Sequence, residues 1–322
     1  MKIFFRNNVW GLDIGSNSIK LCNVLVKRKK IIVKKYFILE DYVKGKKGSD
    51  YITGKYRDYL VDNLTIFFKK NKLDLDLVNF VLPSFGIFFK KFEVPRMKEK
   101  EIKNMIDYQV EGMFKRSKDN FVVDQSISFK KDKVVVSYVC VYKQIFDLYN
   151  LIAKRAGFKI NKILLEQKCY TSFVKEEDFL VVDIGGEVTS FSVFLNKELE
   201  AVDNLYKGGE TFTTLFASGN DISFDEAEKI KREKGLMVDS QGFYFYPQLN
   251  NVVEKINFLI KEYPVKKIYL TGGGSNIKGG VEYFKEKLNL PVSFFDFSVV
   301  QNSELSDDLL NRLWNSILVN FK

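Results

Sequence analysis

A two-lobed α/β fold is the architecture this sequence predicts, and three observations predict it. Residues 179–194, FLVVDIGGEVTSFSVF, read as an apolar strand ending at Asp183, a Gly185-Gly186 turn and a second strand with alternating character. Residues 9–26, VWGLDIGSNSIKLCNVLV, repeat the plan with Asp13, Gly15 and the hydroxyl residues Ser16 and Ser18. A turn without side chains lets backbone N–H groups close on an anion, and a carboxylate at the strand end can hold a cation or its water shell. Two such hairpins far apart in sequence suggest similar half-domains facing each other across one phosphate. The third observation is size: 322 residues with 46% apolar side chains suffice for a large core divided into two lobes.

Composition limits the function classes. Lys and Arg total 51 against 41 Asp and Glu, a net charge of +10. The lysines are spread from end to end and no nucleic-acid signature appears, so no nucleic-acid partner is expected. Cys22, Cys140 and Cys169 lie far apart in apolar settings and read as buried thiols of a reducing compartment. No apolar run reaches the roughly 18 residues of a membrane span, and residues 1–10 do not make a signal-peptide core, which predicts a cytoplasmic protein. Histidine is absent, so carboxylates, lysine or a metal would have to carry any acid–base chemistry.

In order along the chain, residues 9–13 and 19–26 form the first hairpin and residues 31–39 a third strand, followed by a polar connection over 41–55. Residues 56–68 have the helical spacing of an amphipathic helix (Tyr59, Leu60, Leu64, Phe67, Phe68), and 79–83 are a short buried strand. Residues 84–158 look like an inserted α+β unit. Its parts are a helix with Ile102, Met105, Ile106, Val110, Met113 and Phe114 on one face, strands over 121–129 and 133–142, and a helix over 143–156 closed by Gly157. Residues 161–170 enter the crossing between halves. After the central hairpin, Gly208-Gly209-Glu210 lead into a helix. Ser223 then opens another with a capping-box pattern, in which Glu228 and Lys231 share a face. By residue type alone that pair reads either as a surface ion pair or as a ligand contact. Residues 251–263 are amphipathic. The strand over 265–270 stops at Gly272-Gly273-Gly274-Ser275, and a helix over 280–288 follows, an arrangement open to an anion or a flat base. A last edge strand covers 291–295. The closing helix, 307–321, carries an apolar stripe through Leu310, Leu313, Trp314 and Ile317 that suits either docking on a sheet or a membrane surface.

The order of these motifs is similar to that of the actin-like ATPase superfamily, and four stretches resemble the PilM family of type IV pilus assembly proteins. They are WGLDIGSNSIKLCNV, FEVPRMKEKEIKNMIDYQVEGMF, YVCVYKQIFDLYNLIAKRAGFKI and DFLVVDIGGEVTSFSVF. The resemblance implies an actin-like, ribonuclease H-like fold with a nucleotide cleft and an inserted α+β subdomain. Lobe 1 would comprise 1–83, 159–177 and 303–322, the insert 84–158, and lobe 2 178–302 with a smaller subdomain at about 206–250. It implies ATP or ADP with Mg²⁺ as cofactors: Gly15, Ser16, Ser18 and Lys20 in the first phosphate loop, and Gly185, Gly186 and Thr189 in the second. Asp13 and Asp183 would orient the metal through water, Glu228 and Lys231 would meet the adenosine side, and Gly272, Gly273, Gly274 and Ser275 would form the adenosine loop.

The same resemblance implies a cytoplasmic scaffold at the inner face of the inner membrane, serving a type IV pilus or a type II secretion-like assembly platform. A groove involving the insert would hold the cytoplasmic N-terminal tail of a PilN-like membrane protein, and self-association is compatible with it. ATPase activity is expected to be slow at most; Glu166 and Gln167 are the candidates for positioning a water. Glu166 stands where an Asp is common in the family, and Phe114-Lys115-Arg116 and the terminal helix also depart from its usual pattern. Two alternatives are an FtsA-like division protein whose last helix binds lipid, and a small-molecule kinase of the same superfamily.

Overall fold

In the computed structural model the described residues are 9–27, 30–40, 42, 47–52, 56–236, 245–301 and 305–320. The expected connection over 41–55 and the small subdomain at 206–250 fall partly outside them.

Strands β1 (Val9–Ile14), β2 (Ile19–Lys27) and β3 (Lys30–Leu39) form an antiparallel meander, which β4 (Leu77–Val81) and β8 (Lys159–Leu164) extend in parallel, in the order β3-β2-β1-β4-β8. The second half repeats this order strand for strand. Strands β9 (Phe179–Ile184), β10 (Thr189–Leu195) and β11 (Glu198–Leu205) make the meander, and β12 (Lys267–Thr271) and β13 (Val292–Phe294) add the parallel pair, in the order β11-β10-β9-β12-β13. Asp13 sits opposite Lys20 in one sheet and Asp183 opposite Ser190 in the other. The paired hairpins of the sequence are therefore equivalent corners of two like sheets.

Each sheet is covered on its outer side by helices. On the first lie α2 (Arg57–Lys70) and α4 (Lys143–Ala156), with Leu60, Leu64, Ile145, Leu148 and Ile152 packed against Leu12, Leu21 and Phe80. On the second, α6 (Gly209–Asn220), α7 (Phe224–Lys234), α8 (Tyr246–Glu262) and α9 (Gly280–Lys287) bury Phe212, Phe216, Ala227, Val252, Ile256 and Phe284. Ser223 caps α7 by accepting from the Glu226 amide at 3.2 Å, as the capping pattern predicts. Gly157 ends α4 in the left-handed region, φ 81°, and donates to the Ala153 carbonyl at 2.9 Å.

The inserted unit differs from the expected one in two ways. Residues Ile87–Pro95 form a strand, β5, pairing with β7 (Lys133–Tyr142), which in turn pairs with β6 (Phe121–Phe129), so the insert has three strands. Its core, formed with α3 (Glu99–Phe114), holds Ile102, Ile106, Val110, Val134, Val136 and Tyr138. Helix α4, expected within the insert, buries its apolar face in the first lobe instead, where Tyr149 donates to the Val81 carbonyl at 2.7 Å. Its stripe is complementary to the sheet below it, and chain proximity to the insert does not outweigh that burial.

Helix α10 (Asp307–Leu318) is wedged between the two sheets. Leu310, Leu313, Trp314, Ile317 and Leu318 are at most 4% exposed and lie in a cluster with Cys22, Val24, Phe179, Tyr269 and Phe295 from both halves. At about 1.5–3 kcal/mol per buried side chain this seam stabilises the assembly by roughly 10 kcal/mol, so the apolar stripe does not remain free for a lipid surface. That excludes α10 itself as a lipid-binding helix. Cys22, Cys140 and Cys169 are free and buried, and burial pushes the Cys22 thiol up to about 12. Among the described residues no helix is long and apolar enough to cross a membrane.

Candidate functional site

The two Asp-x-Gly corners face each other across one cleft. In the first, the Gly15 amide donates to the Ser18 carbonyl at 3.2 Å and Lys20 Nζ lies 3.2 Å from Asp13. In the second, the Gly185 amide donates to the Val188 carbonyl at 2.9 Å. The corners touch where the Glu187 amide donates to Ser16 Oγ at 3.1 Å, while the Glu187 carboxylate accepts from the Gly48 amide at 2.7 Å. A Cβ at Gly186 would come 2.7 Å from Ser16 Oγ, so only glycine fits this meeting point. The amides of Ser16, Asn17 and Gly186 donate to no described acceptor, and all three residues line the cleft. They leave a nest of N–H groups with the Lys20 ammonium beside it, the chemistry that holds a phosphate.

Three carboxylates stand behind that nest. Asp13, Asp183 and Glu166 are at most 8% exposed. Burial, with Asp183 and Asp13 close by, pushes Glu166 well above the ordinary carboxylate range. Burial likewise raises Asp183 to about 6, against the opposing hydrogen bond from Asn315. Asn315 Nδ2 joins the two, donating to Glu166 Oε2 at 2.5 Å and Asp183 Oδ2 at 3.1 Å. Glu166 Oε1 also accepts from Ser84 at 3.0 Å and from Gln167 at 3.3 Å. Glu166 thus lines the cleft, whereas Gln167 lines a separate groove. Among the described residues no three ligating side chains converge to hold a metal directly. Asp13 and Asp183 line the cleft as separate carboxylates, an arrangement open to a cation held through water.

The far wall is glycine and cation. Gly272, at φ 84°, passes so close to Asp183 that a Cβ there would overlap the carboxylate. Gly273 and Gly274 continue along the wall. Lys231 is buried and Glu228 half-buried here, which excludes the surface-pair reading. Lys231 Nζ lies 2.6 Å from Glu228 and donates to Thr213 Oγ1 at 2.6 Å and the Gly209 carbonyl at 2.9 Å. Burial alone would raise Glu228, but Lys231, Thr213 and Arg232 outweigh it and hold this carboxyl at about 2.

Two expected site residues lie behind the walls. Thr189 is fully buried and donates to the Lys207 carbonyl at 2.8 Å. Ser275 donates to the Gly272 carbonyl at 2.7 Å and accepts from Asn311 at 2.8 Å, so it shapes the glycine loop from the back.

The cleft also contains residues without a local sequence signal. Asn311, Arg312 and Asn315 come from α10, and Arg232 from α7. Glu40, at the end of β3, accepts from Arg232 at 3.2 Å and from Arg312, bridging the first sheet to α7 and α10 beside the cleft. Glu210 follows the Gly208-Gly209 turn, and its amide donates to the Gly186 carbonyl at 2.9 Å. Burial, with Glu187 nearby, raises its carboxyl to about 7. The cleft volume is about 290 Å³, at the small end for ligand pockets.

A family model described as type IV pilus assembly protein PilM matches residues 145–313, a little over half of the chain. The chain belongs to the PilM family. The solved PilM-PilN type IV pilus biogenesis complex contains a chain that superposes on this PilM-family protein with a TM-score of 0.77 at 18% identity, covering 98% of this chain and 97% of the other. The actin-like fold also extends to MreB5 of Spiroplasma citri, solved bound to ADP (TM-score 0.51, 15% identity, 95% of this chain and 94% of the other). The cell division protein FtsA of Bacillus subtilis is 33% identical over 95 residues, 27% of this chain, and the match spans only 22% of FtsA. The actin-like architecture expected from the sequence is therefore the one present.

Proposed function

We propose that this PilM-family chain is an ATP-binding scaffold of a pilus or related secretion platform, cytoplasmic at the inner face of the inner membrane, where it holds the tail of a PilN-like membrane protein. The observation that carries the nucleotide half is the set of unspent amides at Ser16, Asn17 and Gly186, lining one cleft with Lys20 and the Asp13 and Asp183 carboxylates. Bound there, the triphosphate would take the loop amides and Lys20, with Mg²⁺ held through water by Asp13 and Asp183. The glycine loop at 272–274 and the Glu228–Lys231 side would take the nucleoside. Mg²⁺ supplies charge neutralisation on the phosphates. Glu166 already accepts from Ser84, Gln167 and Asn315 at both of its oxygens, and burial beside Asp183 and Asp13 raises it above the ordinary carboxylate range. A carboxylate whose oxygens are taken by three protein donors is poorly placed to orient a water, which fits slow or absent hydrolysis.

The partner half rests on a groove of about 770 Å³ between the insert and the second lobe. Its walls alternate apolar residues (Phe89, Tyr138, Leu165, Leu199) with charge, and Lys91 crosses from β5 to Glu200 at 2.7 Å. Such a lining suits a short amphipathic peptide. The PilM-PilN complex is the solved precedent for a partner of this kind.

The test is titration of ATP and of a synthetic PilN-like tail peptide against the purified chain, with and without Mg²⁺. Magnesium-dependent ATP binding and saturable peptide binding are expected. Ser137→Trp, which fills the groove from β7, should weaken the peptide at least about tenfold and leave ATP affinity unchanged. An unaltered peptide affinity in that variant would reject the groove.

Glu40→Ala supplies a second check. Removing the carboxylate that ties Arg232 and Arg312 together should speed association of a fluorescent ATP analogue about two- to fivefold, the worth of half-exposed ion pairs. Stopped-flow traces indistinguishable from wild type would show that the bridge does not guard the cleft.

A further inference from the structure

The end of the inserted sheet farthest from its attachment is rich in exposed basic side chains. It is made of the turn between β6 and β7 and the link from β5 to α3, with Pro95 opposite Lys133 across the sheet. Over residues 95–100 and 129–133 there are six basic side chains and two acidic ones. Lysine is common throughout this chain and other exposed lysines are also unpaired, so what marks the tip is the grouping of its unpaired cations around an exposed ring. Lys133 is neutralised by Glu93 at 2.7 Å, and Glu99 is taken by Lys103 at 2.6 Å. Arg96, Lys98, Lys100, Lys130 and Lys131 are exposed and form no ion pair with a described carboxylate. In their midst Phe129 is 50% exposed, at the point where β6 enters the turn.

We propose that this tip docks on an anionic lipid surface, with Phe129 in the headgroup layer and the five unpaired cations over the phosphates. Charge complementarity selects the occupant: a cluster of four or more Lys and Arg with an aromatic among them is the composition that binds acidic headgroups, each cation contributing about equally. Long basic side chains also reach past the ring to the phosphate plane. An acidic protein would equally accept the charge but would need apolar or hydrogen-bonding relief to match, and the turn offers one ring only. The tip adjoins the groove, whose lining includes Glu93, Ser128 and Lys130. The lipid contact itself does not depend on what the groove holds.

The experiment is co-sedimentation of the purified full chain with phosphatidylcholine vesicles and with vesicles that also contain phosphatidylglycerol, over a range of salt. Binding is expected only to the second kind and should fall steeply as salt rises. Lys130→Glu with Lys131→Glu should lower the partition coefficient at least about tenfold. Lys69→Glu with Lys70→Glu, at the exposed end of α2, makes the same change in net charge and should leave it within about twofold. Phe129→Ala should weaken binding about threefold while keeping the salt dependence. Equal losses in the two lysine pairs would reduce the effect to overall charge and overturn the proposal, as would absence of binding to the anionic vesicles. Circular dichroism of each variant separates loss of binding from loss of fold.

Discussion

Asp183→Asn should give a protein that is harder to unfold and holds a nucleotide far more weakly. The carboxylate is buried beside Glu166 and Asp13, and its pKa is raised to about 6. A carboxyl that is raised on folding stabilises the native state below its unfolded pKa of about 3.9, and that contribution is lost as pH rises through about 6. At neutral pH the wild-type chain therefore carries a buried charge at a cost of roughly 1–3 kcal/mol. The amide removes that cost, and its carbonyl can still accept from Asn315. Thermal unfolding at pH 7 should move to higher temperature. The wild-type gain on acidification from pH 7 toward 5 should shrink, the remainder coming from Glu166 and Glu210, which are also raised. Glu228 works in the opposite sense, but its contribution is lost only as pH falls from about 4.3 toward about 2. Magnesium-dependent ATP affinity should fall about 10- to 100-fold by calorimetric titration. A variant less stable than wild type, yet binding normally, would reverse the role assigned to this residue.

Gly11→Ala is expected to be the most damaging conservative change in the chain. Gly11 lies in β1 where α10 crosses it, and a Cβ there would overlap the Ser316 carbonyl and come within 2.7 Å of Val319 and Asn320. The helix would have to lift from the sheet at its most closely packed point, which costs about 3 kcal/mol or more. Because α10 supplies Asn311, Arg312 and Asn315 to the cleft, nucleotide affinity should decline with the melting temperature. The contrast is Gly112→Ala in α3, where a Cβ meets nothing within 4 Å. That change should stabilise by up to about 1 kcal/mol, as alanine does in a helix interior. Similar melting curves for the two variants would show that α10 does not bear on Gly11.

The two corners were legible because each combines strand alternation, a glycine turn and a carboxylate within about fifteen consecutive residues, all local signals. Their likeness in space follows from the duplicated strand order, which repeated spacing foreshadowed. Strand β5 was not legible: Lys90 and Lys91 interrupt a run of aromatic residues, and alternation is recognisable only once β7 lies alongside. The place of α4 on the first sheet is hidden for a related reason. An amphipathic stripe shows that a helix is buried but not which sheet receives it. Glu40, Arg232 and Arg312 meet across separations of 192 and 272 residues, and nothing near any one of them announces the others. Thr189 and Ser275 stand one layer behind the expected positions, since a hydroxyl beside a glycine loop serves equally to contact a ligand or to brace the loop.

The wedge helix imposes an order on biogenesis. In synthesis α10 follows every other described element, yet it supplies Asn315 between Asp183 and Glu166, Asn311 behind the glycine loop and Arg312 to Glu40. A ribosome-tethered chain or a product cut short before residue 307 carries the sequence of both sheets and both loops but not the helix whose burial joins them. Such products lack the groups that set the cleft, so ligand occupancy would report that translation has passed this point.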